Sequence, residues 1–348
     1  MMKLRAKLSN LLCRYSWVYR CRVDDAADRR EFGTAYEHSA TSSLIGVPVV
    51  GSRRMAIILF SGRGNLWAFD KHGGWADRLK GILSVYKAAK LTGRDFRILH
   101  TFRFDLADYF APALHDWRID PAEVSYDTAT CTPYYFRHSH YPDERAYSAW
   151  RLRRKMEGPE SCLHLYSNVC AIADEEFPAL FRELFSPTPV LRSALAAVEQ
   201  ALGPHFISLS FRFTHLLGDP VDAYMKELEA DEKERLIAIC LQALTRFHAE
   251  FPSYRILVNS DSATFLARVR SLSDDYLYVI PGTPVHIDQA VTSTEADQLK
   301  TFVDFMAISK AERVFQVIAP EMRNSGFPQC AALVGGQPYE VRRISYPQ

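Results

Sequence analysis

Short, unbroken apolar runs recur along this chain, and amphipathic stretches with helical spacing separate them. Met55-Ala-Ile-Ile-Leu-Phe60 is the first such run, and Phe96-Arg-Ile-Leu-His100 the second. Between them, Leu79, Ile82, Leu83, Val85, Tyr86 and Ala89 fall on one stripe of a helix spanning Trp75 to Leu91, which Gly93 closes. The rhythm resumes with Phe206–Arg212, Tyr254–Asn259, Tyr276–Ile280 and Arg313–Ile318 as strands. Helices are expected over Val221–Phe247, from Ser262, over Ala296–Lys310 and over Ser325–Val334. Apolar runs without polar alternation are buried on both faces, and strand–helix alternation makes parallel sheets covered by helices on either side.

A chain of 348 residues holds two domains of ordinary size. The rhythm places a basic N-terminal segment and wrap at 1–54, a first Rossmann-like domain at 55–203 and a second at 204–348, with the break near Gly203-Pro204. The middle stretch 101–190 is aromatic-rich and less regular, with helices at Phe177–Leu184 and Pro189–Leu202. The expected fold class is α/β: two facing Rossmann-like domains with a cleft between them.

A net charge of +1 argues against a whole-molecule polyanion binder. Seven cysteines without CxxC spacing read as reduced thiols, which points to the cytoplasm. No run of about 18 apolar residues predicts a spanning helix. Residues 1–22 stand apart: Lys3, Arg5, Lys7, Arg14, Arg20 and Arg22 meet no acid, while Leu4, Leu8, Leu11, Leu12 and Tyr15 share one helical face. Such a helix is suited to an anionic membrane surface, which makes peripheral membrane contact an expectation alongside an ordinary surface helix.

In open α/β sheets ligands bind beyond the carboxyl ends of strands. Arg212 ends one strand, and a guanidinium there can hold a diphosphate through two parallel hydrogen bonds. Asn259-Ser-Asp-Ser262 ends the next, where Asp261 or Ser262 caps the following helix, touches a ligand, or does both. Asn324-Ser325-Gly326-Phe327 opens the last helix, where free N–H groups and the helix dipole attract a phosphate. Gly73-Gly74-Trp75-Ala76-Asp77-Arg78 opens a helix of the first domain; Asp77 meets a substrate hydroxyl or serves as a first-turn acid. His286 and Asp288 are weaker candidates on a loop after a strand. No zinc signature, P-loop or Asp-X-Asp occurs, so no metal is expected.

These residues resemble the fucosyltransferase superfamily of GT-B fold, which includes bacterial nodulation-type α1,6-, α1,2- and protein O-fucosyltransferases. Gly73–Ile82 is similar to that family's first-domain loop and helix, Phe104–Phe110 to the segment after the second strand, and Ser210-Phe-Arg212 to its His-X-Arg strand end. Asp304 resembles the acidic residue that meets guanine, and Ser325-Gly-Phe327 the turn that holds the diphosphate. The resemblance implies an inverting, metal-independent transfer of fucose from GDP-fucose, a co-substrate rather than a cofactor, to a glycan or lipid-linked oligosaccharide, as in polysaccharide biosynthesis. Arg212 would stabilise the leaving GDP, Asp304 would read guanine, and Ser210, Asp261, Ser262 and Asn324–Phe327 would line the donor site. Ser210 replaces the family's His, Phe213 a second Arg, Gly74 a charged residue and Asp77 an Asn. The general base is therefore left among Asp77, Asp105 and His215. The alternatives are another nucleotide-sugar donor or a non-catalytic relative that binds a glycan or partner.

Overall fold

The computed structural model describes residues 11–13, 16–27, 54–60, 73–126, 130–136, 142–219, 226–287 and 293–346. The loop Ser61–Gly74 therefore lies outside the described residues except at its last two glycines, and Asp288 lies outside them as well. By contacts the chain forms two compact units: residues 1–73, 77–106 and 112–184, and residues 74–76, 107–111 and 185–348.

The first unit is built on a parallel sheet of β1 (Met55–Phe60), β2 (Asp95–His100), β4 (Thr132–Phe136) and β5 (Cys162–Ser167), in the order β2-β1-β5-β4. β1 and β5 are its central strands and are almost wholly buried. The helix Trp75–Thr92 connects β1 to β2 and ends before Gly93, whose φ of +66° suits the left-handed C-terminal cap expected there. It lies so close to the end of β5 that a Cβ on Gly81 would sit 2.0 Å from the Ser167 carbonyl oxygen. At the amino-terminal edge of the sheet, buried Arg94 donates to the carbonyls of Met156 (2.6 Å), Glu160 (2.8 Å), Gly158 (3.0 Å) and Met55 (3.3 Å). One guanidinium thus ties the connection that precedes β5 to the first residue of β1.

The second unit carries a five-stranded parallel sheet: β7 (Phe206–Phe211), β8 (Arg255–Ser260), β9 (Leu277–Tyr278), β10 (Arg313–Ile318) and β11 (Tyr339–Arg343), ordered β11-β10-β7-β8-β9. Numbered from β7 as the first strand, this is the doubly wound order 3-2-1-4-5, with its reversal between β7 and β10. Its two faces differ. Ile207, Leu209, Phe211, Ile256, Val258, Phe315 and Val317 point into an apolar core with Leu236, Ile237, Leu244, Phe247 and Phe265 of helices Ala230–Glu250 and Ala263–Ser271. On the other face, pleat and register align Ser210 with Asn259 on one side and Gln316 on the other, a buried polar row across three strands. Two short strands, β3 (Phe110–Pro112) and β6 (Phe185–Pro187), pair separately.

Several expectations shift. The helix expected from Val221 starts at Ala230, because Glu229 and Glu232 form a reciprocal capping box there. The run Tyr276–Ile280 pairs only over Leu277–Tyr278. The stretch 101–190 contains β4, β5 and the helix Glu144–Met156, and β11 adds an edge strand after the last helix. The helix Pro189–Leu202, assigned from sequence to the first domain, clusters with the second unit and packs on helix Glu295–Ile308. Trp75 is core rather than site lining: it is fully buried, stacked on Phe110 (5.7 Å) and edge-on to Phe302 (5.2 Å) and Phe305 (6.1 Å). Arg20, expected among the outward basic residues, is turned inward and buried.

Candidate functional site

β7 and β10 are parallel neighbours, so their carboxyl ends meet at the point where strand order reverses. Crossover connections leave in opposite directions there, which opens a crevice in the edge of the sheet. Arg212 follows β7 directly, and the Asn324–Phe327 turn follows β10 after a short connection.

Arg212 is half-buried and makes no ion pair among the described residues. The loop that carries it is pinned by Asp261, which ends β8's turn: its two carboxylate oxygens accept from the backbone N–H of Phe213 (2.8 Å) and Thr214 (2.9 Å). Thr214 holds a φ of +56°, a strained value for a β-branched residue, and this clamp fixes it there. Burial pushes the Asp261 carboxyl up to about 6, while those two amides and the Arg212 charge pull the other way. Asp261 therefore orients Arg212 through the backbone. Ser262 is a helix cap: its hydroxyl donates to Asp219 (2.7 Å) and accepts from the Phe265 N–H (3.1 Å). The capping alternative holds for Ser262, and Asp219, unmarked in the sequence, completes it by accepting from the Thr264 N–H (2.9 Å).

The buried row beneath is unevenly satisfied. Asn259 donates to the Ser208 hydroxyl (3.2 Å), but its carbonyl oxygen and the Ser210 hydroxyl have no partner among the described residues. Both residues are 7% exposed. Gln316, by contrast, accepts from the Tyr339 hydroxyl (2.7 Å) and donates to the Arg323 carbonyl (3.4 Å), which ties β11 and the next loop to β10. Sequence reading passed over Gln316 because it sits inside an otherwise apolar strand.

The last helix, Gly326–Gly335, begins at this same edge. Ser325 caps it, accepting from the Phe327 N–H (3.3 Å), and the Asn324 side chain accepts from the Ser325 N–H (3.0 Å). The serine cap leaves its own O–H free to donate, beside helix N–H groups that have no intrahelical acceptor. The Phe327 ring packs edge-on to Phe305 (5.3 Å), which anchors the turn. The carboxyl ends of neighbouring β7 and β10 thus lead to one cation, a hydroxyl donor and a helix N-terminus, groups complementary to a diphosphate.

The other candidates make contacts of their own. Asp304 is buried, and both its oxygens hold Lys300 (2.9 and 2.7 Å), an i, i+4 spacing that the sequence already contained. Burial raises its carboxyl, with Lys300 opposing. His286 is half-buried, its Nε2 lying 3.6 Å from where a Cβ on Gly74 would stand. His215 Nε2 lies 3.9 Å from Glu227. Asp77 pairs with Lys80 (3.2 Å), and Asp105 is exposed. No group of three metal-binding side chains occurs among the described residues.

No protein-family model matches the chain, and no curated protein matches it. Solved structures do. A variant of Arabidopsis thaliana FUT1 in complex with GDP superposes with a TM-score of 0.51 at 11% identity, covering 96% of this chain and 80% of that one. The fucosyltransferase NodZ from Bradyrhizobium gives 0.50 at 16% identity, covering 81% and 94%. NodZ co-crystallised with GDP gives 0.50 at 16% identity, covering 81% and 93%. At these identities the likeness is one of fold: two parallel α/β sheets arranged along the chain as in the GT-B fucosyltransferases.

Proposed function

We propose that this chain, with the fold of GT-B fucosyltransferases, is an inverting, metal-independent glycosyltransferase that moves fucose from GDP-fucose to a hydroxyl of a glycan or lipid-linked oligosaccharide. One observation carries the reading. Arg212, in no salt bridge among the described residues, follows β7 on a loop clamped by Asp261, and the Ser325-capped helix follows the neighbouring β10 across the strand-order reversal. An arginine held in place without an ion-pair partner is a charge kept for an anion. Two structural neighbours are complexes with GDP, which fits that anion.

In this reading the acceptor oxygen attacks the anomeric carbon while the bond from that carbon to the β-phosphate oxygen breaks. Negative charge grows on the departing diphosphate. Arg212 neutralises it, and the Ser325 hydroxyl and the helix N–H groups donate to it. The acceptor proton passes to a base, for which Asp77, Asp105 and His215 remain the candidates. In this reading the unpartnered Ser210 hydroxyl would donate to a phosphate oxygen and the unpartnered Asn259 carbonyl oxygen would accept from a ribose hydroxyl, directly or through water.

The test is Arg212→Ala. Transfer from GDP-fucose should fall by about 10²–10³-fold, as for loss of one electrostatic donor, and GDP should no longer raise the melting temperature. Undiminished transfer with an intact GDP shift rejects the assignment. The Lys300–Asp304 pair favours a second reading, in which Asp304 does not read guanine and the donor carries another base. Melting shifts with GDP, ADP and UDP separate the two: a shift confined to GDP supports guanine.

A further inference from the structure

The helix over residues 17–27 is built inside out. Its inward face is polar. Arg20 is fully buried, donating to Asp143 (2.7 Å) with its guanidinium 3.6 Å above the Tyr147 ring. Trp17 Nε1 donates to the other Asp143 oxygen (2.7 Å). Asp24 accepts from the Tyr147 hydroxyl (2.6 Å). Asp25 accepts from Arg151 (2.6 and 3.1 Å) and from the Tyr134 hydroxyl (3.1 Å). The network locks the helix onto helix Glu144–Met156 and fixes which side looks out.

The outward side is apolar and basic. Val18 is 43% exposed and Val23 39%, with Arg22 exposed between them; just upstream Leu11 is 53% and Leu12 38% exposed. These four are close to half of the nine large apolar side chains exposed among the described residues, and they sit within thirteen positions. Single exposed apolar residues need no explanation, but a cluster does. Both acids of the described helix, Asp24 and Asp25, are half-buried and bonded to Tyr147, Arg151 and Tyr134, so among the described residues the outward face carries no unpaired acid. Residues 1–22 hold no acid at all and, besides inward Arg20, contain Lys3, Arg5, Lys7, Arg14 and Arg22.

We propose that this face docks on an anionic phospholipid surface, with Leu11, Leu12, Val18 and Val23 entering the headgroup boundary and the basic residues meeting lipid phosphates. Apolar area together with uncompensated positive charge matches that occupant. A second copy of the chain is disfavoured, because it would set Arg22 and the basic run against their own like charges. The inference stands apart from the nucleotide site and holds whichever donor that site takes.

The experiment is co-sedimentation of the full chain with vesicles of phosphatidylcholine, alone or with about one third phosphatidylglycerol. Binding is expected only to the anionic vesicles, weakening as salt rises through the range where surface charges are screened. Arg22→Gln should weaken it about fivefold, the share of one basic residue near the surface. Val18→Glu with Val23→Glu should abolish it, and Val18→Ser with Val23→Ser is the milder pair should the first unfold. All these variants should keep the wild-type melting shift with GDP. Failure to bind anionic vesicles, equal binding to neutral ones, or binding indifferent to the valine pair overturns the proposal. So does a wild-type dimer that the valine pair converts to monomer, which would assign the face to a second copy.

Discussion

Asp261 and His164 are buried ionisable groups whose titration opposes each other. Asp261 rises to about 6 from 3.8, so the folded chain holds its proton more tightly than the unfolded chain. Its contribution therefore favours the fold at low pH and is lost as pH climbs from about 4 to about 6, on the order of 3 kcal/mol in all. His164 falls to about 3 from 6.5 because burial disfavours its charged form. Here the unfolded chain takes up the proton first, so stability is lost as pH drops below about 6.5, by up to about 1.4 kcal/mol per pH unit. Urea unfolding across pH 4–7 should show Asp261→Asn losing the first slope and His164→Leu the second. A variant whose pH profile parallels the wild type disposes of the assignment for that residue. Asp261→Asn should also lower transfer, since it loosens the loop that aims Arg212; the conservative Asp261→Glu then distinguishes charge from reach.

At the scale of elements, two contacts between segments distant in sequence hold the first sheet. An ordinary Gly→Ala change inside a helix gains about 1 kcal/mol from backbone entropy. At Gly81 the sign reverses, because the new Cβ would meet the Ser167 carbonyl oxygen at 2.0 Å and backbone cannot retreat cheaply. Gly81→Ala is expected to cost about 1–3 kcal/mol in urea unfolding; a stabilised variant would show that the helix does not press on β5. Arg94→Met should cost a similar amount, because it leaves the part-buried carbonyls of Met55 and Glu160 without this donor, while Arg54 still reaches Met156. Unchanged stability there would mean that water replaces the guanidinium.

For the whole molecule, the chain does not divide at one cut. The second unit takes Gly74–Ala76 and Ala107–Ala111 from far upstream, besides everything from Phe185 onward. Trp75, Tyr109 and Phe110 all pack on Phe302, which is fully buried. A fragment of residues 204–348 has the complete five-stranded sheet yet lacks those rings and the helix Pro189–Leu202. It should bind a hydrophobic dye and melt without a cooperative transition, while the full chain melts sharply. A cooperative fragment with the full chain's midpoint would show that these rings are dispensable.

Sequence alone determined the period of the chain. Continuous apolar runs such as Met55–Phe60 and Arg313–Ile318 can only be strands buried on both faces, and their alternation with helical stripes leaves little but parallel α/β sheets. It also fixed which loops, after Arg212 and before Gly326, open at carboxyl ends, because direction in a parallel sheet is common to all strands. Strands β4, β5 and β11 escaped, since His164, Tyr135 and the charged edge residues of β11 break the apolar signal and only burial or pairing restores it. Lys300 on Asp304 and the Asp261 clamp were written in the residues, yet whether a carboxylate meets a ligand, a lysine or a backbone amide depends on neighbours dozens of positions away. Strand order was likewise invisible. Tertiary structure set β7 against β10, and that adjacency, a matter of which ladders close rather than of local preference, brought the guanidinium and the serine-capped helix to one edge.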